Sequence, residues 1–365
     1  MSSFACYRLP RGTHYTQVIQ TDGEPLQLLS PAGMNNRQGF VVAPFAPKSE
    51  EPILVIQPDR IITKEVADFV PPAVTGGIAQ LSPTEGGTIA SRFSEATSGA
   101  AGWDDYYSDF TTFHHALQGD QFQKLVLARC ATEPNDGRHT AEELFLLACQ
   151  RYPRMFVALV STPQSGTWLT ATPEILLEGD GCQWRTIALA GTMRLRDDEL
   201  TGEGQHLRWS TKNIEEQRHV ASYIADRLKQ LGIDFKEEGP RTTRAANLVH
   251  LRSDFTFPYI NNVREGDIIN ALHPTPAVCG LPKAEAFSFI NTHEHAHRHY
   301  YSGFMGPLNM PQQQTHLYVS LRCMQITDST YSLYAGGGLL RGSQAEKEWQ
   351  ETEAKMETMR NLLYS

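Results

Sequence analysis

What most limits the fold of this chain is the order of its short apolar runs. Residues 40–43 (FVVA), 53–56 (ILVI), 124–130 (KLVLARC), 155–161 (MFVALVS), 167–172 (TWLTAT), 175–178 (ILLE), 317–326 (LYVSLRCMQI) and 331–335 (YSLYA) have the texture of strands. Helical spacing is confined to a few stretches between them. Ala141–Arg151 is one. A second starts near Ser210 and runs to about Leu231, with Ile214, Ala221, Ile224, Leu228 and Leu231 at helical spacing and Gly232 as its stop. A parallel sheet needs a long crossover, usually a helix, between its strands. Here strands follow strands without regular βαβ units. The chain is therefore predicted to be α+β, with a large, mostly antiparallel β-sheet core flanked by helices.

The last helix is the best marked. Ser343 and Glu346 form an S-x-x-E pair, which predicts a capping box. Ala345, Trp349, Thr352, Met356, Met359 and Leu363 then recur in steps of four and three and predict one buried stripe. The texture changes near Tyr106. Before it, short strands are broken by Pro44, Pro47 and Pro58, and residues 71–102 are rich in glycine, serine, threonine and proline. That composition suits a long loop or a covering flap. The chain is accordingly divided into residues 1–105 and 106–365.

Composition enters as a set of exclusions. The 365 residues are 40% hydrophobic, enough for a large core, and carry a net charge of −9. That charge argues against a broad basic face for nucleic acid or an anionic membrane. No run of about 18 apolar residues is present, and the N-terminus has no apolar signal core, so a cytoplasmic protein without a membrane partner is expected. The six cysteines include no CxxC pair and read as buried free thiols. An acidic chain can still bind a small anion if cationic groups, backbone N–H groups or a metal gather locally.

Four features can carry chemistry, and each has an ordinary alternative. Glu348, Glu351 and Lys355 share one face of the last helix. Two carboxylates one turn apart suit a hard cation such as Mg²⁺, but from the helix alone a solvated Glu351–Lys355 pair is the simpler reading. Residues 334–338 read YAGGG, where backbone N–H groups can approach an anion or the chain can simply turn. Glu215 and Glu216 open the long helix, where acids already suit the helix dipole. Residues 293–297 read HEHAH. On a helix this H-E-x-x-H match would hold Zn²⁺, with Glu294 as the base of a metalloprotease. No apolar stripe supports that helix, so a polar surface segment with a Glu294–Arg298 pair is preferred.

Taken in order, ten segments resemble the chorismate-utilising enzymes, a family that includes isochorismate, salicylate, anthranilate and aminodeoxychorismate synthases. They are KLVLAR (124–129), ATPEILL (171–177), ALAGT (188–192), KNIEE (212–216), LVHL (248–251), HPTPAVCGLPKAEA (273–286), E-x3-R-x2-Y-x-G (294–303), SLR (320–322), YAGGG (334–338) and EWQETEAK (348–355). The resemblance implies that residues 106–365 form a chorismate-binding catalytic region and residues 1–105 a divergent N-terminal part of the same fold. It implies a monomer with chorismate as its small-molecule partner. It also implies a Mg²⁺ ion held by Glu216 and Glu351, with Glu348 reaching it through water. Arg322, Lys355 and the backbone around Gly336 are then the cradle of a dianion. Gly191, Thr192 and Ala277 line the substrate, with His250 a weaker candidate. Lys124 matches the family's base and Glu174 its acid. An ordinary lysine is protonated at neutral pH and an ordinary glutamate ionised, so both roles demand burial and particular neighbours.

Within the family, Ala190 stands where aminodeoxychorismate synthases carry a nucleophilic lysine. PTPA (274–277) stands where amine-forming branches read PAGT or PGGS, and no LLES run is present. These features resemble isochorismate synthases, which use water, with menaquinone biosynthesis the expected pathway. Siderophore supply is the alternative pathway, and salicylate synthase the second branch. Cys279 and Gln217 depart from the residues usual in the family.

Overall fold

The computed structural model describes residues 2–66, 102–194, 208–245, 248–259, 262–311 and 314–364. All but the last residue of the 71–102 stretch read as a flap lies outside them. The N-terminal part supplies β1 (Ser3–Arg8), β2 (His14–Gln20), β3 (Leu26–Leu28), β4 (Gly39–Ala43), β5 (Ile53–Ile56) and β6 (Arg60–Glu65). Then come α1 (Trp103–Gln118), β7 (Lys124–Pro134), α2 (Ala141–Arg151), β8 (Phe156–Thr162), β9 (Gly166–Thr172), β10 (Ile175–Gly179) and β11 (Gln183–Arg194). These are followed by α3 (Thr211–Gln230), β12 (Lys236–Ala245), β13 (Leu248–Pro258), α4 (Glu265–Leu272), β14 (Gly280–Leu281) and α5 (Lys283–His293). The chain closes with β15 (Phe304–Leu308), β16 (Thr315–Val319), β17 (Cys323–Ile326), β18 (Thr330–Leu339) and α6 (Ala345–Leu363).

The strands form two nine-stranded antiparallel sheets. The first runs β14-β7-β18-β17-β9-β8-β1-β2-β6 and the second β12-β13-β11-β10-β16-β15-β4-β5-β3. The fold is thus α+β, as the strand order predicts. The central strands of each sheet are covered on both faces, with apolar side chains pointing alternately to either side. On β4, Phe40 and Val42 join the layer between the sheets, with Tyr7, Phe156, Trp168 and Tyr318. Val41 and Ala43 point outward, into a layer closed by Val220, Ile224 and Leu228 of α3 and Ile268, Ile269 and Leu272 of α4. The outer face of the first sheet packs on α2 and α6 through Leu144, Phe145, Met356 and Met359. The remaining helices, α1 and α5, meet α6 and β7 through Phe110, Phe113, Ile290, Trp349 and Leu125. No helix among the described residues is long and apolar enough to cross a membrane.

Several local readings need correction. The 317–326 run is two strands in different sheets, broken around Ser320–Arg322, where Arg322 takes a left-handed φ of 45°. The YAGGG run is not a turn but lies inside β18, with Gly336, Gly337 and Gly338 paired to Ala128, Leu127 and Val126 of β7. The S-x-x-E pair before α6 is not a capping box: Gln344 is the cap residue, and Ser343 Oγ instead accepts the Leu340 N–H at 3.1 Å. A genuine capping box opens α2, from Thr140 to Glu143. Ile214 is exposed rather than part of the buried stripe of α3, and Cys182 is exposed among otherwise covered thiols. The stripe expected on α6 is buried at all six positions.

Candidate active site

Two links cross from one sheet to the other side by side. Through Pro173 and Glu174, β9 of the first sheet passes into β10 of the second. Through Ser320, Leu321 and Arg322, β16 of the second passes into β17 of the first. Because β9 pairs with β17 and β10 with β16, the links face one another. The Ala171 N–H donates to the Arg322 carbonyl and the Val319 N–H to the Glu174 carbonyl, both at 3.0 Å. Strands that switch sheets make the corners of a sandwich, and these two corners deliver an acid and a guanidinium to one cavity.

That cavity is walled by Val126, Gly336 and Gly338 of the first sheet and by Leu189, Ala190, Gly191, Thr192 and His250 of the second. Pro173, Glu174, Glu216, Ala277, Val278, Tyr301, Leu321, Arg322 and Lys355 complete it. Gly191 has a φ of 72°, which a side chain would strain. A Cβ on Gly338 would collide with the Glu216 carboxylate, so a glycine is what lets α3 bring Glu216 against β18. The Ser210 side chain starts α3 by accepting the Asn213 N–H at 3.2 Å, and this cap sets the register that points Glu216 inward.

The charges are arranged in pairs. Lys124, fully buried at the start of β7, has Nζ 2.9 Å from Glu216 Oε1. Lys355 Nζ lies 2.7 Å from Glu351 Oε1 and donates to the Gly336 carbonyl at 2.7 Å. Lys212 pairs with Glu348. Burial alone would push Glu216 up, but Lys124 and Lys212 outweigh it and hold the carboxyl below its usual range. Glu348 is pushed up by burial and by Glu351 despite Lys212, and its Oε2 is buried with no hydrogen-bond partner. Glu174 is pushed up to about 8 by burial, which prevails over the attraction of Lys124, Arg322 and Lys355. It is therefore mostly protonated at neutral pH. Burial, Arg322 and Lys355 hold His250 well below its usual value, so its ring is neutral. Arg322 can only donate, so His250 Nε2 accepts from it at 3.4 Å. The ring proton then sits on Nδ1, 3.3 Å from the Gly191 carbonyl.

Of the residues expected from sequence, Glu174, Gly191, Thr192, Glu216, His250, Ala277, Arg322, Gly336 and Lys355 line the cavity. Lys124 reaches it through Glu216, and Glu348 and Glu351 stand behind Gly337, whose added Cβ would lie 3.4 and 4.0 Å from them. Among the described residues, no three histidines, cysteines or carboxylates form a close metal-ligand group. The three carboxylates nevertheless fit a hard cation: all donors are oxygens, one is buried without a partner, and Lys212 feels all three. Sequence reading assigned no role to Lys212 or Tyr301, although both fall in quoted segments. The zinc-site reading fails. The α5 helix ends at His293, so His293 and His297 do not share a helical face. Glu294 does pair with Arg298, at 2.6 Å, but the pair is buried rather than superficial. Arg298 donates to the Val278 and Val126 carbonyls, at 2.6 and 2.8 Å, and so ties two cavity walls together.

Comparison with known proteins agrees with this geometry. The chain is 35% identical to isochorismate synthase MenF of Escherichia coli over 246 residues, 67% of this chain and 56% of that protein. It is 27% identical to isochorismate synthase EntC of Escherichia coli over 245 residues, 66% of this chain and 62% of that protein. In both cases the match spans less than two thirds of the relative's length. The fold is similar to that of MenF, the menaquinone-specific isochorismate synthase from Escherichia coli, with a TM-score of 0.75 at 22% identity over 100% of this chain and 89% of that one. It is also similar to anthranilate synthase component I from Streptococcus pneumoniae, with a TM-score of 0.64 at 14% identity over 98% and 89%. The family model described as chorismate binding enzyme matches residues 87–364, a stretch that contains every cavity wall. The chain belongs to the chorismate-binding enzyme family.

Proposed function

We propose that this protein is a Mg²⁺-dependent isochorismate synthase that adds water to C2 of chorismate and expels the C4 hydroxyl. The observation that carries the reading is the buried, largely protonated Glu174 set in the same cavity as Arg322 and Lys355, with Ala190 offering no nucleophile. Arg322 and Lys355 hold the substrate carboxylates, and neutral His250 orients Arg322 without adding charge. In its uncharged form, Lys124 takes a proton from water as the water oxygen bonds to C2. The two ring double bonds each shift by one position, the C4–O bond breaks, and Glu174 gives its proton to the departing hydroxide. One water enters and one leaves. Glu216 and Glu351 would hold the Mg²⁺, with Glu348 reaching it through water. When bound, the ion supplies positive charge opposite a substrate carboxylate.

The same reading takes residues 106–365 as the catalytic region and residues 1–105 as a divergent part of the same fold. It makes the enzyme a cytoplasmic monomer that supplies menaquinone biosynthesis, a choice supported by the 35% identity to a MenF enzyme. The test is incubation of the purified protein with chorismate and Mg²⁺ in ¹⁸O-water. Isochorismate labelled at the C2 hydroxyl is expected, reached from either direction and lost on adding EDTA. Stoichiometric pyruvate with salicylate would move the chain to the salicylate branch, and full activity without metal would remove the Mg²⁺ assignment.

A further inference from the structure

Pro173 and Leu189 wall a second cleft as well as the active cavity. This cleft is open, with about 1340 Å³ of space including its mouth, and it gathers Arg11, Arg154, Arg185, Arg241, Arg244 and Arg252. Three separate parts of the chain bring them together. Arg11 lies in the β1–β2 link and Arg154 in the α2–β8 link, while the others lie on the adjacent strands β11, β12 and β13.

The register makes this gathering costly. Arg241 of β12 stands directly opposite Arg252 of β13, which in turn stands opposite Leu189 of β11. Like charges directly across a strand pair destabilise it. Among the described residues, Asp254 and Glu178 form the ion pairs of Arg241, Arg252 and Arg185: Asp254 pairs with the first two, at 2.5 Å each, and Glu178 with the third. Glu178 is already committed, since it also accepts from Tyr318 Oη and from His316. Arg11 and Arg154 are exposed and belong to no ion pair among the described residues. In a chain of net charge −9, a cleft that gathers six arginines is a local concentration of positive charge, and two of them stand exposed outside those ion pairs.

We propose that the arginine cleft is a second binding site, for a small polyanion that carries two or more carboxylate or phosphate groups. Guanidinium forks match both oxyanions in bidentate fashion, and the cleft exceeds what a single phosphate fills. An occupant also touches the residue before Glu174 and the residue before Ala190, so it leans on two elements that shape the active cavity.

Citrate and pyrophosphate are the probes, titrated at fixed ionic strength and read by calorimetry and melting temperature. At least one is expected to bind saturably at one site. Arg11→Ser with Arg154→Ser removes two exposed side chains without opening an ion pair, and is expected to weaken binding at least about tenfold. Lys355→Met, in the other cavity, is expected to leave it unchanged. Turnover distinguishes the source of the anion, an arm that rests on the chorismate reading above. If the cleft gathers substrate, citrate competes with it and the double variant lowers kcat/KM at constant kcat. If it takes a separate effector, citrate changes kcat. The proposal is overturned if neither probe binds, if the double variant binds as the parent does, or if Lys355→Met alone abolishes binding.

Discussion

Glu174 shows how a single side chain couples stability to chemistry. Its folded value of about 8 stands above the ordinary 4.5 because burial penalises the charged form. The folded state thus binds this proton more tightly than the unfolded chain does. The resulting stabilisation is complete below pH 4.5 and is lost as pH rises through about 8. The proton needed for hydroxide departure disappears over the same upper range. We expect kcat/KM to fall above about pH 8. Glu174→Gln, which cannot ionise, should turn over at least ~100-fold more slowly. It should also melt above the parent at pH 9, as measured by calorimetry; equal melting at that pH would mean the carboxyl is not the buried acid described. Little of this was legible in the residue itself. In sequence Glu174 is an acid after a proline and Lys124 the first residue of a strand, and only the family resemblance singled them out. Their burial is decided by partners far away in the chain, which no local pattern records.

At the scale of elements, α6 was the most legible and also the most misleading. Its apolar steps of three and four gave the buried stripe correctly, because that spacing follows from helix geometry alone. Its start was misread, because an S-x-x-E pair forms a capping box only when serine occupies the cap position, and here Gln344 does. The stripe explains how Glu348, Glu351 and Lys355 are held in place. Trp349 packs edge-on to Trp103 and Tyr106, and the Arg129 guanidinium lies 3.6 Å above its ring. Trp349→Ala is expected to cost ~3–5 kcal/mol in denaturant unfolding. Because the helix would also lose its seat, KM for chorismate should rise in the fraction that remains folded. A stability loss with unchanged KM would show that α6 is positioned without Trp349. The split of 317–326 into two strands was hidden for a different reason. An apolar run reads the same whether its strand stays in one sheet or turns a corner, and the corner here depends on the left-handed Arg322.

For the molecule as a whole, sequence reading gave a large, mostly antiparallel sheet core but not its division into two sheets, which is set by pairings between distant strands. Residues 2–66 are woven into both sheets: β1 pairs with β8 in one, and β4 with β15 in the other. Residues 106–365 expressed alone would expose those two apolar edges. That fragment is expected to aggregate or remain unfolded by circular dichroism, and a folded, active fragment would contradict the interleaving. The same weave bears on what happens when the cavity is filled. Its walls come from both sheets, and the acid and the guanidinium sit on two of the links that join them. Any occupant that touches both walls must be released before the sheets can part. A dianion that binds without reacting should therefore slow amide hydrogen exchange cooperatively, in β7 and β18 together with β11 and β13, rather than only beside itself. Protection confined to one of the two sheets would show that they open independently.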